Sequence, residues 1–531
     1  MVAIDPKFSK KVGEELRSGG AKNTRNKTGI ICLEGFAVVV WVADEKPFKL
    51  ASSPVSEWSW GTMSATNRLK PLPPLAGIAS FAEAQKKGLP VAESVARLKR
   101  YHYAFRQLHE IFLARLTAEP VYELKMAFSL HAFYCAEHAT SLRLRIGEMR
   151  ELPLGLDVVP SEPLAVFFAE ILAAPKTGDL LEGIYGKALP SLISALELHE
   201  RETNPLADFP TVRLIKFAII ELREMASYGE AARQSIPFES VNRRQEWDRL
   251  LDDCLGLAGG IAGGDLPRSC ELSRCFSGKP FEYDKIPQRD DRFPDPYNMG
   301  VNAEAFLYDP LQPAGPKVLM MFYKRLREID VPEVMASIIT ETKGQPWGYY
   351  RDLTRQIWDE ARHAMMGEVG FISIGIDWTK VMINFTWSLG LNSQLTAKER
   401  HGVLYFIEQG LMPKTGKRFE WETAKAAGDS LSTLFQDYDW ADEVLHARIG
   451  RDWYISQFST PKEALEWGDR AWSKVLIGWQ AWRDSGLTAH RNWWPELYLE
   501  WCRLERIAPV ASALNFKTTY ETQRADLQSI Q

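Results

Sequence analysis

Trp358–Ala364, WDEARHA, places Glu360 three residues before His363, and residues 441–453, ADEVLHARIGRDW, repeat the arrangement with Glu443 and His446. On an α-helix, residues three apart share a face with Cβ atoms roughly 5–6 Å apart, so a carboxylate and an imidazole can grip one side of a metal ion. A single Glu-x-x-His occurs in many helices as a solvated surface pair. Two copies on separate helices, each in an otherwise apolar run, read better as two halves of one centre.

A centre of this kind inside a helical bundle needs one more carboxylate from each of two further helices. Glu333, in PEVMASIIT, precedes the first motif across the turn KGQPWG and stands about as far before that turn as Glu360 stands after it. An antiparallel hairpin would bring the two level. Glu408 lies in VLYFIEQGLM before the second motif, and a carboxylate beside Phe406, Ile407 and Leu411 is costly to bury unless it is paired or metal-bound. Glu341 and Glu399 are the local alternatives. Glu341 lies too near the turn and Glu399 sits in the polar TAKERHG, so Glu333 and Glu408 are preferred.

Asp359 and Asp442 immediately precede the two motifs. They are suited to accept the second ring N–H of a metal-bound imidazole, each serving the histidine of the opposite helix; exposed helix-surface acids are the alternative. Four carboxylates balance two divalent ions, and hard oxygen donors with two imidazoles suit iron(II) or manganese(II) better than copper or calcium.

Around this core the chain reads as all-α. Residues 1–91 form an extension in which GIICLEGFAVVVWVADEKPFKL has the β-branched character of short strands. Residues 92–232 carry helical periodicity, 233–314 are rich in glycine and proline and read as an irregular connection, 315–457 hold the two motifs, and 458–531 read as C-terminal helices. Glutamate spacings recur: Glu110 to Glu137 and Glu333 to Glu360 are both 27 residues, and Glu137 to Glu221 (84) nearly matches Glu360 to Glu443 (83). The pattern predicts two tandem four-helix bundles. The first is degenerate, because Thr140 and Glu224 stand where histidines would be needed, and it is expected to hold no metal.

Composition excludes several classes. A formal net charge of −5 and the absence of a basic excess argue against nucleic acid. No run approaches the roughly 18 apolar residues of a membrane span, and the polar N-terminus lacks a signal-type apolar region. The six cysteines are scattered without metal-site spacing. A cytoplasmic setting is the resulting expectation. The eighteen tryptophans, crowded toward the C-terminal third, read as core packing.

Residues 315–457, with EVMA, WDEARHA, IEQGLMP and DEVLHARIGRDWY in order, resemble the ferritin-like di-iron carboxylate superfamily, in particular bacterial ferritin-like families with DEARH and DEVxHxxxGxxW motifs. That resemblance implies Glu333, Glu360, His363, Glu408, Glu443 and His446 as ligands of two iron ions, with manganese compatible in either position. It also implies O2 as co-substrate, a small-molecule substrate and an O2-dependent oxygenase or oxidase, and leaves room for an electron donor and a homodimer. A ferroxidase-type iron protein and a non-catalytic metal-stabilised scaffold are the competing readings. Met335, Ile339, Trp358, Met366, Trp387 and Phe406, all near the ligands in sequence, are the candidate pocket formers, with gating loops expected within 278–312.

Overall fold

The computed structural model describes residues 28–33, 36–41, 72–151, 154–236, 241–264, 270–293, 295–298, 300–382, 386–413 and 416–520. The chain divides into two compact units, Met1–Leu72 and Pro73–Gln531. In the first, β1 (Thr28–Leu33) pairs antiparallel with β2 (Phe36–Trp41), Thr28 opposite Trp41 and Leu33 opposite Phe36. The rest of the expected N-terminal extension up to residue 71 lies outside the described residues.

The second unit is helical. Its first half contains α1 (Val91–Leu116), α2 (Tyr122–Glu148), α3 (Glu162–Leu172), α4 (Leu189–Glu202), α5 (Phe209–Ser235) and α6 (Val241–Leu257). The second half contains α7 (Ala314–Arg327), α8 (Asp330–Glu341), α9 (Trp347–Ser373), α10 (Thr386–Gln394), α11 (Ala397–Gly410), α12 (Lys417–Ala426), α13 (Ser430–Trp453), α14 (Pro461–Asp484) and α15 (Trp494–Glu505). Helix α6 corrects the expectation of an irregular connection throughout 233–314: its composition is polar, but Trp247, Leu251 and Cys254 make one buried stripe at helical spacing.

Local chemistry sets the helix starts. Thr396 and Glu399 form a reciprocal capping box at the head of α11, with Glu399 N donating to Thr396 Oγ1 at 3.3 Å. Glu399, one of the weighed alternatives, is thereby engaged. Thr460 caps α14, and Pro461 stands in its first turn, where a missing N–H is harmless.

Helices α7 and α8 would be one continuous helix but for Glu328 and Ile329. Pro332 has no N–H to give the Glu328 carbonyl, and its ring crowds that carbonyl, so the helix cannot run through. The gap closes instead with short-range bonds, Glu328 N to Arg325 O at 2.9 Å and Val331 N to Glu328 O at 3.0 Å. The break lies beside the first Glu-x-x-His motif, with Glu328 3.5 Å from His363.

The two halves share a core. One continuous apolar cluster joins Leu108, Phe112 and Phe128 of the first half to Met335, Ile357 and Trp479 of the second. Helix α2 packs along α9, and α1 along α8. Helix α14, expected as part of a tail, packs closely on α11. Among the described residues, no helix is long and apolar enough to cross a membrane.

Helices α7 and α9 approach to backbone contact at Gly367, where a Cβ would collide with the backbone of Leu326. Gly450 likewise accepts the Tyr405 ring of α11 against α13. Gly367→Val should therefore separate α7 from α9 and destabilise the protein by about 1–3 kcal/mol, read as a lowered thermal midpoint; an unchanged midpoint would contradict this packing.

Candidate metal centre

Four elements meet around the two Glu-x-x-His motifs. Glu360 and His363 project from α9, Glu443 and His446 from α13, Glu408 from α11, and Glu328 from the break after α7. The imidazole rings stand 5.9 Å apart between centroids. Glu360 spans them, with Oε1 3.1 Å from His446 Nδ1 and Oε2 3.6 Å from His363 Nδ1. Two sets of ligand atoms result, each lying within 4.8 Å of one another: Glu360, Glu408, Glu443 and His446, and Glu328, His363, Asp439 and Glu443. Glu443 belongs to both.

Five of the six expected ligands thus converge; Glu333 does not. Its carboxylate is fully buried and ion-paired, 2.9 Å from Lys125 Nζ and 2.9 Å from Arg289 Nη2, with the Ser388 hydroxyl donating to it. Helix α8 runs unbroken from Glu333 to the turn, as the antiparallel hairpin requires, but Glu333 is engaged by Lys125, Arg289 and Ser388. The break before α8 at Pro332 leaves Glu328, four residues ahead of the proline, facing His363 at 3.5 Å. The signal was present in REIDVPEV as a proline four residues after a glutamate. Asp439 was also missed; it lies four residues before Glu443, one turn along the same face of α13.

The two aspartates sit crosswise. Asp442 of α13 hydrogen-bonds His363 Nε2 of α9 at 3.2 Å, and Asp359 of α9 lies 3.5 Å from His446 Nε2 of α13. Arg362 ties them together, contacting Asp359 and reaching Asp442 at 2.8 Å. Burial opposes a charge on His363, but Asp442, Glu328 and Glu360 outweigh it and push its value up to about 10. Burial and the neighbouring Glu443 and Glu360 push Glu408 well above the usual carboxylate range, while Lys417, Glu408 and His446 override burial and hold Glu443 well below it.

This donor set fits a bound cation. Buried polar atoms are almost always hydrogen-bonded. His363 Nδ1, His446 Nδ1, Glu328 Oε2 and Glu443 Oε2 are buried, make no hydrogen bond, and belong to these two sets. Other members of the two sets stand nearest the imidazoles, Glu360 Oε1 3.1 Å from His446 Nδ1 and Asp439 Oδ1 3.4 Å from His363 Nδ1, and one divalent ion can serve several of these atoms at once.

A cavity of about 560 Å3 reaches the centre at Glu328, Glu360, Glu408 and Glu443. Beside the carboxylates its wall is apolar, with Val334, Leu391, Val403 and Ile407. The wall also has a polar portion: Arg327 stacks over Trp387 and Tyr520, and Tyr520 donates to Glu304 at 2.6 Å. Of the expected pocket formers only Trp387 lines it. Met335 is sealed in the core and Phe406 packs against it, while Ile339 and Trp358 face two other cavities and Met366 lines none of the four. Sequence proximity misled here because successive helix positions face 100° apart, so a neighbour of a ligand points elsewhere. Within 278–312, Asn302, Glu304, Ala305, Tyr308 and Asp309 contribute to the wall.

In the first half, Glu110 and Glu137 are exposed, and Glu221 pairs with His138 at 2.7 Å. Thr140 accepts from Trp347 Nε1 at 2.8 Å, and Glu224 is exposed. Glu182, buried in the same half, is held by Arg233 and Arg244. Among the described residues both possible metal-holding groups lie in the second half. Comparison with protein-family models, curated proteins and solved structures finds no match for this chain.

Removing one partner of a buried ion cluster leaves the remaining charges uncompensated, typically at a cost of roughly 3–5 kcal/mol. Glu333→Gln should destabilise the fold by about that amount, because Lys125 and Arg289 stay buried, yet leave metal affinity unchanged. Thermal unfolding beside a metal titration checks both parts, and loss of metal with an unaltered midpoint would reinstate Glu333 as a ligand.

Proposed function

We propose that the protein is a ferritin-like metalloenzyme of the di-iron type. It binds two divalent ions, iron or manganese, through Glu328, Glu360, His363, Glu408, Glu443 and His446, with Asp439 beside them, and oxidises a small organic substrate with O2. The observation that carries this reading is the set of buried donors without hydrogen bonds, His363 Nδ1, His446 Nδ1, Glu328 Oε2 and Glu443 Oε2, of which Glu328 and Glu443 line a substrate-sized cavity. A metal-stabilised scaffold needs no such cavity at its ligands. A bound, reduced iron pair supplies the electrons that activate O2.

The chain's own residues have separable tasks. Asp442 and Asp359 orient the two imidazoles so that Nδ1 of each faces the carboxylates, and Arg362 holds both aspartates in place. Val334, Leu391, Val403 and Ile407 keep water from the carboxylate end of the cavity and favour an apolar portion of substrate there. The Arg327–Trp387–Tyr520 stack offers a rigid polar contact for a polar portion. Repeated turnover draws on an outside electron donor wherever the substrate gives up fewer than the four electrons that O2 takes to become water. A cytoplasmic setting accords with this chemistry.

Metal content after anaerobic iron(II) reconstitution tests the reading directly. Metal retention and an optical change on exposure to O2 are the expected results, and His446→Ala and Glu408→Ala should abolish both. Asp442→Asn, which removes only the partner of a ligand, should weaken metal binding by roughly 10–100-fold. A protein that retains no metal after reconstitution sinks the proposal, and metal retention without any reaction with O2 sinks its catalytic part.

A further inference from the structure

The two sets of ligands are matched in type but not in surroundings. In the set containing Glu328, Asp439 and Glu443, fixed cations are already in place. Lys417, the first residue of α12, is fully buried, with Nζ 2.9 Å from Glu443 Oε1, 3.0 Å from both oxygens of Asp439 and 3.9 Å from Glu328 Oε1. Arg325, also fully buried, contacts Asp439 and lies 2.8 Å from Glu328. Three carboxylates there face an ammonium and a guanidinium.

In the set formed by Glu360, Glu408, Glu443 and His446, Lys417 reaches only the shared Glu443, and among the described residues no lysine or arginine pairs with Glu360 or Glu408. The Glu408 carboxylate accepts from the neutral amide of Gln356 at 3.1 Å. Around Glu360 and Glu408 the nearest basic groups are imidazoles, His446 with Nδ1 3.1 Å from Glu360 and 3.9 Å from Glu408, and His363 with Nδ1 3.6 Å from Glu360. His446 Nδ1 and Glu443 Oε2 are both buried without a hydrogen bond. Charges a few ångströms apart in a partly dry interior interact strongly, so a divalent ion is drawn to the set with less fixed positive charge and opposed more strongly at the other, where Lys417 and Arg325 both stand.

We propose that the two metal positions are unequal and fill in order, with the Glu360–Glu408–Glu443–His446 position taking the first ion and Lys417 weakening the other. The inference rests on the metal-binding reading above and assigns Lys417 a positioning role: it acts on the second ion through Glu443 and Asp439. Glu443, shared by both sets, couples them, because an ion at the first position draws on the same carboxylate that holds the Lys417 ammonium. Arg325 carries the same sign but is also tied to Glu420 and Glu328, so Lys417 is the better single handle.

Manganese(II) added without O2 separates the steps, because an isolated ion and an exchange-coupled pair have different electron paramagnetic resonance spectra. In the wild-type protein the first equivalent should give the isolated-ion spectrum, and the second ion should bind at least about tenfold more weakly. Lys417→Met should narrow the gap to less than about threefold and bring in the coupled spectrum at the first equivalent, whereas Lys417→Arg should keep the wild-type order. Glu408→Gln should remove the tight ion. Equal affinities in the wild type, or a Lys417→Met titration indistinguishable from it, would overturn the inference. The wild-type titration decides on its own if the methionine variant does not fold. A wild type that binds no manganese and no iron defeats the metal-centre reading itself, whereas one that binds two ions alike defeats only their ordering.

Discussion

The second half of the molecule is organised around charge that it cannot leave in water. Glu360, Glu408, Glu443, His363 and His446 are all buried on the facing surfaces of α9, α11 and α13. An isolated buried carboxylate is strongly disfavoured, so the surrounding structure must answer each one. Arg325 and Lys417 answer the side nearest Glu328 and Asp439. Asp359, Asp442 and Arg362 lock the imidazoles from behind. What remains is a small group of buried donor atoms without hydrogen bonds, and Glu328 and Glu443, which carry two of them, line the cavity.

The same requirement binds the two halves together. Lys125 of α2 crosses from the first half to neutralise Glu333 of α8, and Arg289 approaches from the connecting segment. Thr117 adds a hydrogen bond to the Glu333 carbonyl at 3.1 Å. The first half therefore supplies a wall and a counter-charge to the second, while at its own repeat positions Glu110 and Glu137 are exposed and Glu221 pairs with His138. A continuous apolar core across both halves makes this a fixed arrangement and not a docking of independent domains.

Much of the site was legible because helix geometry ties spacing to direction. Glu360 with His363 and Glu443 with His446 had to share faces, and Glu408 in an apolar run had to find compensation. The crosswise pairing of Asp442 with His363 followed from the same register. Glu333 read as a ligand on the same grounds as Glu408, a carboxylate that cannot stay bare in an apolar helix. The inference of compensation was right, but its source was a lysine more than two hundred residues away and an arginine in a loop. Sequence shows that a buried charge needs a partner, not which partner reaches it first.

The sequence by itself determined an all-helical second unit, the two Glu-x-x-His faces and the absence of a membrane-length apolar helix among the described residues, because all three follow from local periodicity. Tertiary structure decided the remainder. It placed Glu328 and Asp439 beside the histidines, diverted Glu333 to Lys125, put Lys417 and Arg325 on one side of the centre only, and drew the cavity wall from Asn302, Trp387, Trp472 and Tyr520. Those outcomes depend on how helices distant in sequence meet and on where Pro332 breaks one of them. Electrostatic compensation acts over ångströms in space, and periodicity along the chain carries no record of those distances.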